Sequence, residues 1–278
     1  MRTAARTRAA VLSLVAALAV ALLPAVAARA TGSVPTPSPT PPRARTVDDV
    51  ARAWRARAPA TIVVGRSVQG RAIVATRQGA ATAPYVLLVL GQMHGSEPRG
   101  RDVVAAIRRL APPAQVQVWT ITSLNPDGAA GGRRTNARGV DLNRNFPYAW
   151  SPRYTNRTYF WPGPRAASEP ETREMIAFLD QLRPDLLVSL HQHFNAVDLG
   201  SGRTRVWSLR LATALHLRAV AVPCSTGPCT GTMTMWFNHG HPGSGVTVEL
   251  PAAVPASLAT AYARGILRVW ALLVPPAA

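Results

Sequence analysis

The chain has 278 residues, 47% of them hydrophobic, which excludes a disordered protein and allows one large core. Its net charge of +18 comes from 31 basic residues against 13 acidic ones, and every basic residue is an arginine. Such a surplus attracts anionic polymers, but the arginines are dispersed and do not alternate with aromatics, which sets nucleic acid aside as a partner. An excess of Ala, Arg and Pro also follows from a GC-rich genome, so the charge alone names no partner.

Arg2, Arg6 and Arg8 precede an apolar segment, residues 9–27, and Ala28-Arg29-Ala30 offers small residues for cleavage, so residues 1–30 read as a secretory signal peptide. TGSVPTPSPTPP follows, too poor in apolar side chains to offset the entropy of ordering, and residues 31–45 are expected to form a linker. Residues 46–278 have the size of a single domain. VDDVARAWRAR, residues 47–57, has helical spacing with Thr46 as its cap and acidic residues in the first turn. Residues 61–64 and 72–76 read as two strands of a hairpin around GRSVQGR.

YVLLVL, residues 85–90, is too continuous for a half-exposed strand and too short for a good helix, so it predicts a strand buried on both faces. It stops at Gly91 and sets out His94 and Glu97 before Pro98 opens a helix. That turn leaves the carboxyl end of a buried strand, where open α/β sheets place their ligands, and a His and a Glu three residues apart can reach one metal ion. Residues 115–122 look like another strand, ending at the turn signal Asn125-Pro126-Asp127-Gly128. From there to Pro164 no periodicity appears, and so long an irregular stretch in a compact domain is usually functional. Within it RRTNARGVDLNRNFP, residues 133–147, pairs guanidinium with amide side chains, the equipment for gripping a carboxylate.

SEPETREMIAFLDQL, residues 168–182, predicts a helix capped by Ser168, after which residues 185–190 return as a second buried strand ending at His191. His193 is the alternative ligand; His191 is favoured because it stands directly at the strand end. Residues 205–218 predict a helix and 219–223 a strand. VTVEL, residues 246–250, predicts a third buried strand, and its Glu249 is costly to bury unless it faces a cleft, where its pKa would be raised. Residues 256–273 close the chain as an amphipathic helix too short and too interrupted by arginine to span a membrane. Cys224 and Cys229, the only cysteines, are expected to pair in an exported protein as a small disulfide loop, CSTGPC.

Taken together, GRSVQGR, GQMHGSE, NPDG, GVDLNRNFP, SLH and VTVEL, in this order, resemble the M14 zinc carboxypeptidases over nearly the whole segment from Val47 to the last helix. The resemblance implies an α/β fold, a mixed eight-stranded sheet with helices on both faces, and makes residues 46–278 the catalytic domain. It implies one zinc ion on His94, Glu97 and His191, with Glu249 as general base and Asp141 orienting the first histidine. It assigns Asn143 and Arg144 to the substrate's terminal carboxylate and Arg134, two residues before Asn136, to the scissile carbonyl; Arg133 is the alternative.

Two departures narrow the expectation. No tyrosine lies between Tyr159 and Tyr262, so the mobile tyrosine of digestive members is missing, and His193 replaces the aromatic that follows the third ligand. The glycine-rich CSTGPCTGTMTMWFNHG in the place of the lid is more similar to bacterial murein peptide amidases, which cut the γ-D-glutamyl–diaminopimelate bond. Met233, Thr234 and Met235 are expected to line the specificity pocket, the lack of an acidic residue there arguing against basic terminal residues; Arg203 and Arg205 are candidates for a distal carboxylate. The expected protein is thus a secreted, monomeric zinc metallopeptidase acting on peptide or murein-peptide substrates, with electrostatic attraction to an anionic cell wall. Three alternatives are a general secreted carboxypeptidase on protein tails, an inactive basic wall-binding module, and a deacylase of acyl amino acids. The retained ligands and Glu249 speak against the second, and the full-length lid against the third.

Overall fold

The computed structural model describes residues 46–155, 159–222 and 229–271; the expected signal segment (1–30) and linker (31–45) lie outside them. Eight strands build one sheet: β1 (Thr61–Arg66), β2 (Ala72–Gln78), β3 (Tyr85–Leu90), β4 (Val116–Ile121), β5 (Leu186–Gln192), β6 (Ala196–Asp198), β7 (Arg218–Val220) and β8 (Ser244–Leu250). Their order is β1-β2-β4-β3-β5-β8-β6-β7. The four central strands β4, β3, β5 and β8 run parallel, while β2 and β6 flank them antiparallel.

Helices cover both faces, which is why the central strands read as unbroken apolar runs. Leu87 and Val89 of β3 pack with Val103 and Ile107 of α2 (Arg99–Ile107), Leu211 of α5 (Gly202–Leu215) and Trp270 of α7 (Ala256–Ala271). Val86, Leu88 and Leu90 turn the other way, against Phe178 and Leu179 of α4 (Pro170–Leu182) and Phe237 of α6 (Met233–Gly240). Trp54 of α1 (Val47–Arg57) stacks on Trp119 of β4 at 6.2 Å, closing this second layer. The apparent alternation of β4 has a different cause from solvent exposure: all six of its residues are buried, and its polar side chains are paired. Gln117 donates to the carbonyls of Ala81 and Ala83, and Thr120 accepts from Arg108. No helix among the described residues is long and apolar enough to cross a membrane.

The Thr46 cap of α1 is present, reciprocated by Asp49. Several expectations need correction. Asn125-Pro126-Asp127-Gly128 is more than a turn: Asn125 accepts from Gly128 N and caps a short helix, α3 (Pro126–Ala130), with Pro126 at its first position. Ser168 does not cap α4; Glu169 occupies that position, and the Ser168 hydroxyl donates to the Glu169 carboxylate instead. Helix α5 starts three residues earlier than expected, and β7 is shorter. Within the stretch expected at the lid position, residues Met233–Gly240 form a helix, α6, capped by Thr232, for which no element was expected. The expected Cys224–Cys229 pairing involves Cys224, which lies outside the described residues.

Candidate metal centre and active-site cleft

The carboxyl ends of β3, β5 and β8 carry the chemistry, on the face covered by α4 and α6. β5 and β8 pair in register with His191 opposite Glu249, so the two side chains leave the same face of adjacent strands. His94 and Glu97 come from the turn after β3, and the conformation of that turn is fixed by glycine. A Cβ on Gly95 would collide with the backbone of Gly128, so the HGSE and NPDG motifs can only pack against each other as they stand. Asp127 of the same motif then fastens the GRSVQGR hairpin, accepting from Ser67 Oγ at 2.7 Å, Gln69 N at 2.9 Å and Arg71 Nη1 at 2.7 Å.

Donor atoms of His94, Glu97 and His191 lie within 4.8 Å of one another, all three residues buried. The two Nδ1 atoms are 3.2 Å apart, and the Glu97 carboxylate is 2.8 Å from the first and 3.2 Å from the second. Ligands about 2.0–2.2 Å from a tetrahedral zinc ion stand roughly 3.3 Å from each other, so these spacings suit that ion. The protonation pattern suits it too. Asp141 can only accept from His94 Nε2, 3.0 Å away, which puts the proton on that nitrogen and turns the Nδ1 lone pair inward. His191 Nε2 likewise faces a hydroxyl, Ser189 Oγ at 3.1 Å, and turns Nδ1 to the same point. Burial disfavours ionised Glu97, but the imidazoles of His94 and His191 outweigh it and hold the carboxyl well below the usual range.

The long irregular segment supplies the rest of the cleft, and its asparagines hold it together in place of regular backbone pairing. Asn136 accepts from Arg138 N and Val140 N and donates to Glu169; Asn145 donates to Pro162 O and Ser168 Oγ. Asp141 is fully buried, caps a short 3-10 turn (Leu142–Arg144), and accepts from Arg134 Nε at 3.0 Å and Nη2 at 2.9 Å. Burial alone would raise the pKa of Asp141, but Arg134 and His94 overcome this and keep it ionised. Arg134 also reaches Glu97 Oε1 at 3.2 Å, whereas Arg133 is exposed, so the cleft contains the first and not the second. Arg144 donates to Asn143 O, and its guanidinium lies over the ring of Phe160, 5.8 Å from the centroid.

His94, Glu97, Arg134, Asn143, Arg144, His191 and Glu249 line one cavity of about 440 Å³. Burial raises the pKa of Glu249, as expected of a carboxylate on an interior strand. The far wall departs from expectation. Met233 is fully buried and absent from the cavity lining, its backbone N–H donating to Asn143 Oδ1, while Thr234 and Met235 do face the cleft. An acidic residue lines the cleft after all: Asp198, from the short strand β6. Arg203 does not reach toward substrate, because its guanidinium donates to the carbonyls of Asn238, His241 and Gly243. Three residues of NAVDLG are too short a strand to announce themselves; α6 could have been found from the Thr232 cap and the Met233, Trp236, Phe237 spacing.

The profile of the zinc carboxypeptidase family, Peptidase_M14, matches residues 52–197. Murein peptide amidase A of Escherichia coli K12 is 29% identical over 174 residues, which cover 56% of this chain and 72% of that protein. Carboxypeptidase SOL1 of Arabidopsis thaliana is 29% identical over 144 residues, covering 46% of this chain and 28% of that one. The crystal structure of murein-tripeptide amidase MpaA from Escherichia coli O157 superposes with a TM-score of 0.62 at 25% identity, over 82% of this chain and 98% of that chain. Carboxypeptidase A of Helicoverpa armigera shares the fold, with a TM-score of 0.64 at 17% identity over 81% and 70%. Two imidazoles and a carboxylate turned to one point, on a sheet shared with these enzymes and under a profile spanning all three ligands, place the chain: it belongs to the zinc carboxypeptidase family.

Proposed function

We propose that this zinc metallopeptidase hydrolyses a peptide or isopeptide bond next to a free carboxylate in murein peptides, the γ-D-glutamyl–diaminopimelate bond being the target. The observation that carries this reading is the single cavity that brings the His94, Glu97 and His191 cluster together with Glu249, Asn143 and Arg144. The likeness to murein peptide amidases supports the substrate class.

Zinc, when bound by His94, Glu97 and His191, supplies Lewis-acid activation of water and of the scissile carbonyl at neutral pH. The chain's own groups then divide the remaining work. Asn143 and Arg144 hold the terminal carboxylate, a bidentate task for which a guanidinium fork is suited. Glu249 takes the proton of the attacking water and returns it to the leaving nitrogen, and its raised pKa brings it nearer the working pH of a general base. Arg134 steadies the negative charge that develops on the carbonyl oxygen. Export is part of the proposal, supported by the arginine-led apolar segment at residues 1–30.

The test is hydrolysis of murein tripeptide and of N-blocked dipeptides by purified protein, with and without a chelator. Release of diaminopimelate that stops on chelation and returns with zinc is expected. Chelator-insensitive cleavage refutes the metal mechanism, and cleavage of N-blocked dipeptides alone refutes the murein assignment.

A further inference from the structure

A cavity of about 360 Å³ lies between α2, β2 and the turn after β4, and it shares no residue with the active-site cleft. Its polar walls are Arg101, Arg108, Thr76, Thr122, Ser123 and Gln92, and no carboxylate among the described residues lines it. We propose that this cavity binds a phosphate monoester, at a site separate from the metal centre and independent of the hydrolase reading above.

A missing counter-charge is no signal by itself here, because 31 basic residues face only 13 acidic ones. What sets this pair apart is placement. Arg101 and Arg108 stand two turns apart, about 10.5 Å along α2 and its cap, so both leave the same face and reach one cavity. Arg108 is half-buried, with Nε donating to Thr120 Oγ1 at 2.9 Å and Nη2 to Thr120 O at 3.3 Å. Burial lowers its pKa, and no carboxylate stands near enough to raise it. Neither arginine has an ion-pair partner among the described residues. Ser123 Oγ accepts from Asn125 N at 3.1 Å, which leaves its own proton to donate.

The donors decide the ligand. Two guanidiniums and three hydroxyls offer more N–H and O–H groups than the roughly four lone-pair sites of a carboxylate can take. A phosphate monoester carries about −1.5 to −2 at pH 7 and three strong acceptor oxygens, so it matches the two arginines in charge as well. The cavity has the volume of roughly a dozen waters, and its remaining walls are Ala72, Val74, Pro126 and Ala129, so the phosphate comes with a carbon skeleton. A hydroxyl on that skeleton would satisfy Gln92. This residue is fully buried; its Nε2 donates to Gly95 O at 2.9 Å, and its Oε1 has no hydrogen-bond partner among the described residues.

The experiment is calorimetric titration of the zinc-loaded protein with glycerol 3-phosphate, inorganic phosphate, acetate and glycerol. Glycerol 3-phosphate should saturate one site and bind more tightly than inorganic phosphate, with acetate and glycerol weaker than either. Arg101 is exposed, so Arg101→Gln should fold and hydrolyse as the wild type does while binding glycerol 3-phosphate about 10- to 100-fold more weakly, the worth of hydrogen bonds to a charged group. Arg108→Gln should weaken it as much; because that change also releases Thr120, Arg101→Gln decides if the Arg108 variant melts lower. Arg134 and Arg144 make the active-site cleft the competing site for any phosphate, so Arg144→Met is the control and should leave the binding unchanged. The site is overturned by a glycerol 3-phosphate Kd above about 1 mM, by acetate or inorganic phosphate binding as tightly, by native affinity in Arg101→Gln, or by loss of binding in Arg144→Met. Binding is measured without turnover, so a failure of the hydrolase reading leaves this test standing.

Discussion

Replacing Asp141 by Asn keeps the shape of the side chain and changes what it can accept. In the native protein Oδ1 serves His94 Nε2 at 3.0 Å and Asn143 N at 2.9 Å, and Oδ2 serves Arg134 Nε at 3.0 Å and Nη2 at 2.9 Å. An amide oxygen can replace one of these acceptors. Its NH2 must then face either the histidine proton or two guanidinium donors, and in the second case Arg134, 20% exposed, keeps Glu97 as its one ion-pair partner among the described residues. Removing one member of so buried a pair is expected to cost about 3–5 kcal/mol. In a folded unit of this size that lowers Tm by roughly 6–20 °C, at 2–4 °C for each kcal/mol. The metal is affected separately: a carboxylate behind a ligating imidazole is worth about 10- to 100-fold in metal affinity, roughly 1.4–2.8 kcal/mol. Competition against a chromophoric chelator gives the affinity, and calorimetry with and without zinc gives the stability. A variant that melts lower but binds zinc with native affinity would refute the orienting role of Asp141.

Other substitutions test separate parts of the site. Glu249→Gln should lower kcat by about 10²- to 10⁴-fold with zinc content intact, checked by steady-state kinetics beside metal analysis; a variant of native kcat removes Glu249 from the mechanism. Arg144→Met should raise KM by about 10- to 100-fold for substrates with a free carboxylate, and Arg144→Lys should recover little because a point charge does not replace the fork. Gly95→Ala should destabilise the protein by about 1–3 kcal/mol in urea titration, because the new methyl group meets the Gly128 backbone. For Asp127, burial disfavours the ionised form, yet bonds from Ser67, Gln69 and Arg71 prevail and lower its pKa. Its contribution should therefore be complete above the unfolded value of about 3.9 and be lost as the pH falls toward the folded value. Asp127→Asn should accordingly narrow its stability gap to wild type below about pH 4, measured by urea titration across pH.

What the sequence disclosed follows physical lines. β3, β5 and β8 were legible because strands buried on both faces leave an unbroken apolar run, and His94, His191 and Glu249 were legible because each interrupts or ends such a run. Asn136 and Asn145 were conspicuous as polar residues in a segment without periodicity, but not as pins, since their partners Glu169 and Ser168 lie 33 and 23 positions further along the chain. Asp198 was missed because β6 spans three residues, and its place in the cleft comes from pairing with β8 some fifty positions away. Arg203 shows the opposite error: a cation in a promising loop is committed to three carbonyls that only the fold brings near it.

The proposed hydrolysis depends most on two imidazoles and a carboxylate sharing one ion. Metal analysis by mass spectrometry on purified wild type and His191→Ala reads that directly. The expected result is about one zinc per chain in the wild type, removed together with hydrolysis by chelation, and a large loss of zinc in the variant. A wild-type protein that hydrolyses peptide while carrying no metal, or a His191→Ala variant that keeps its zinc at native affinity, would contradict it.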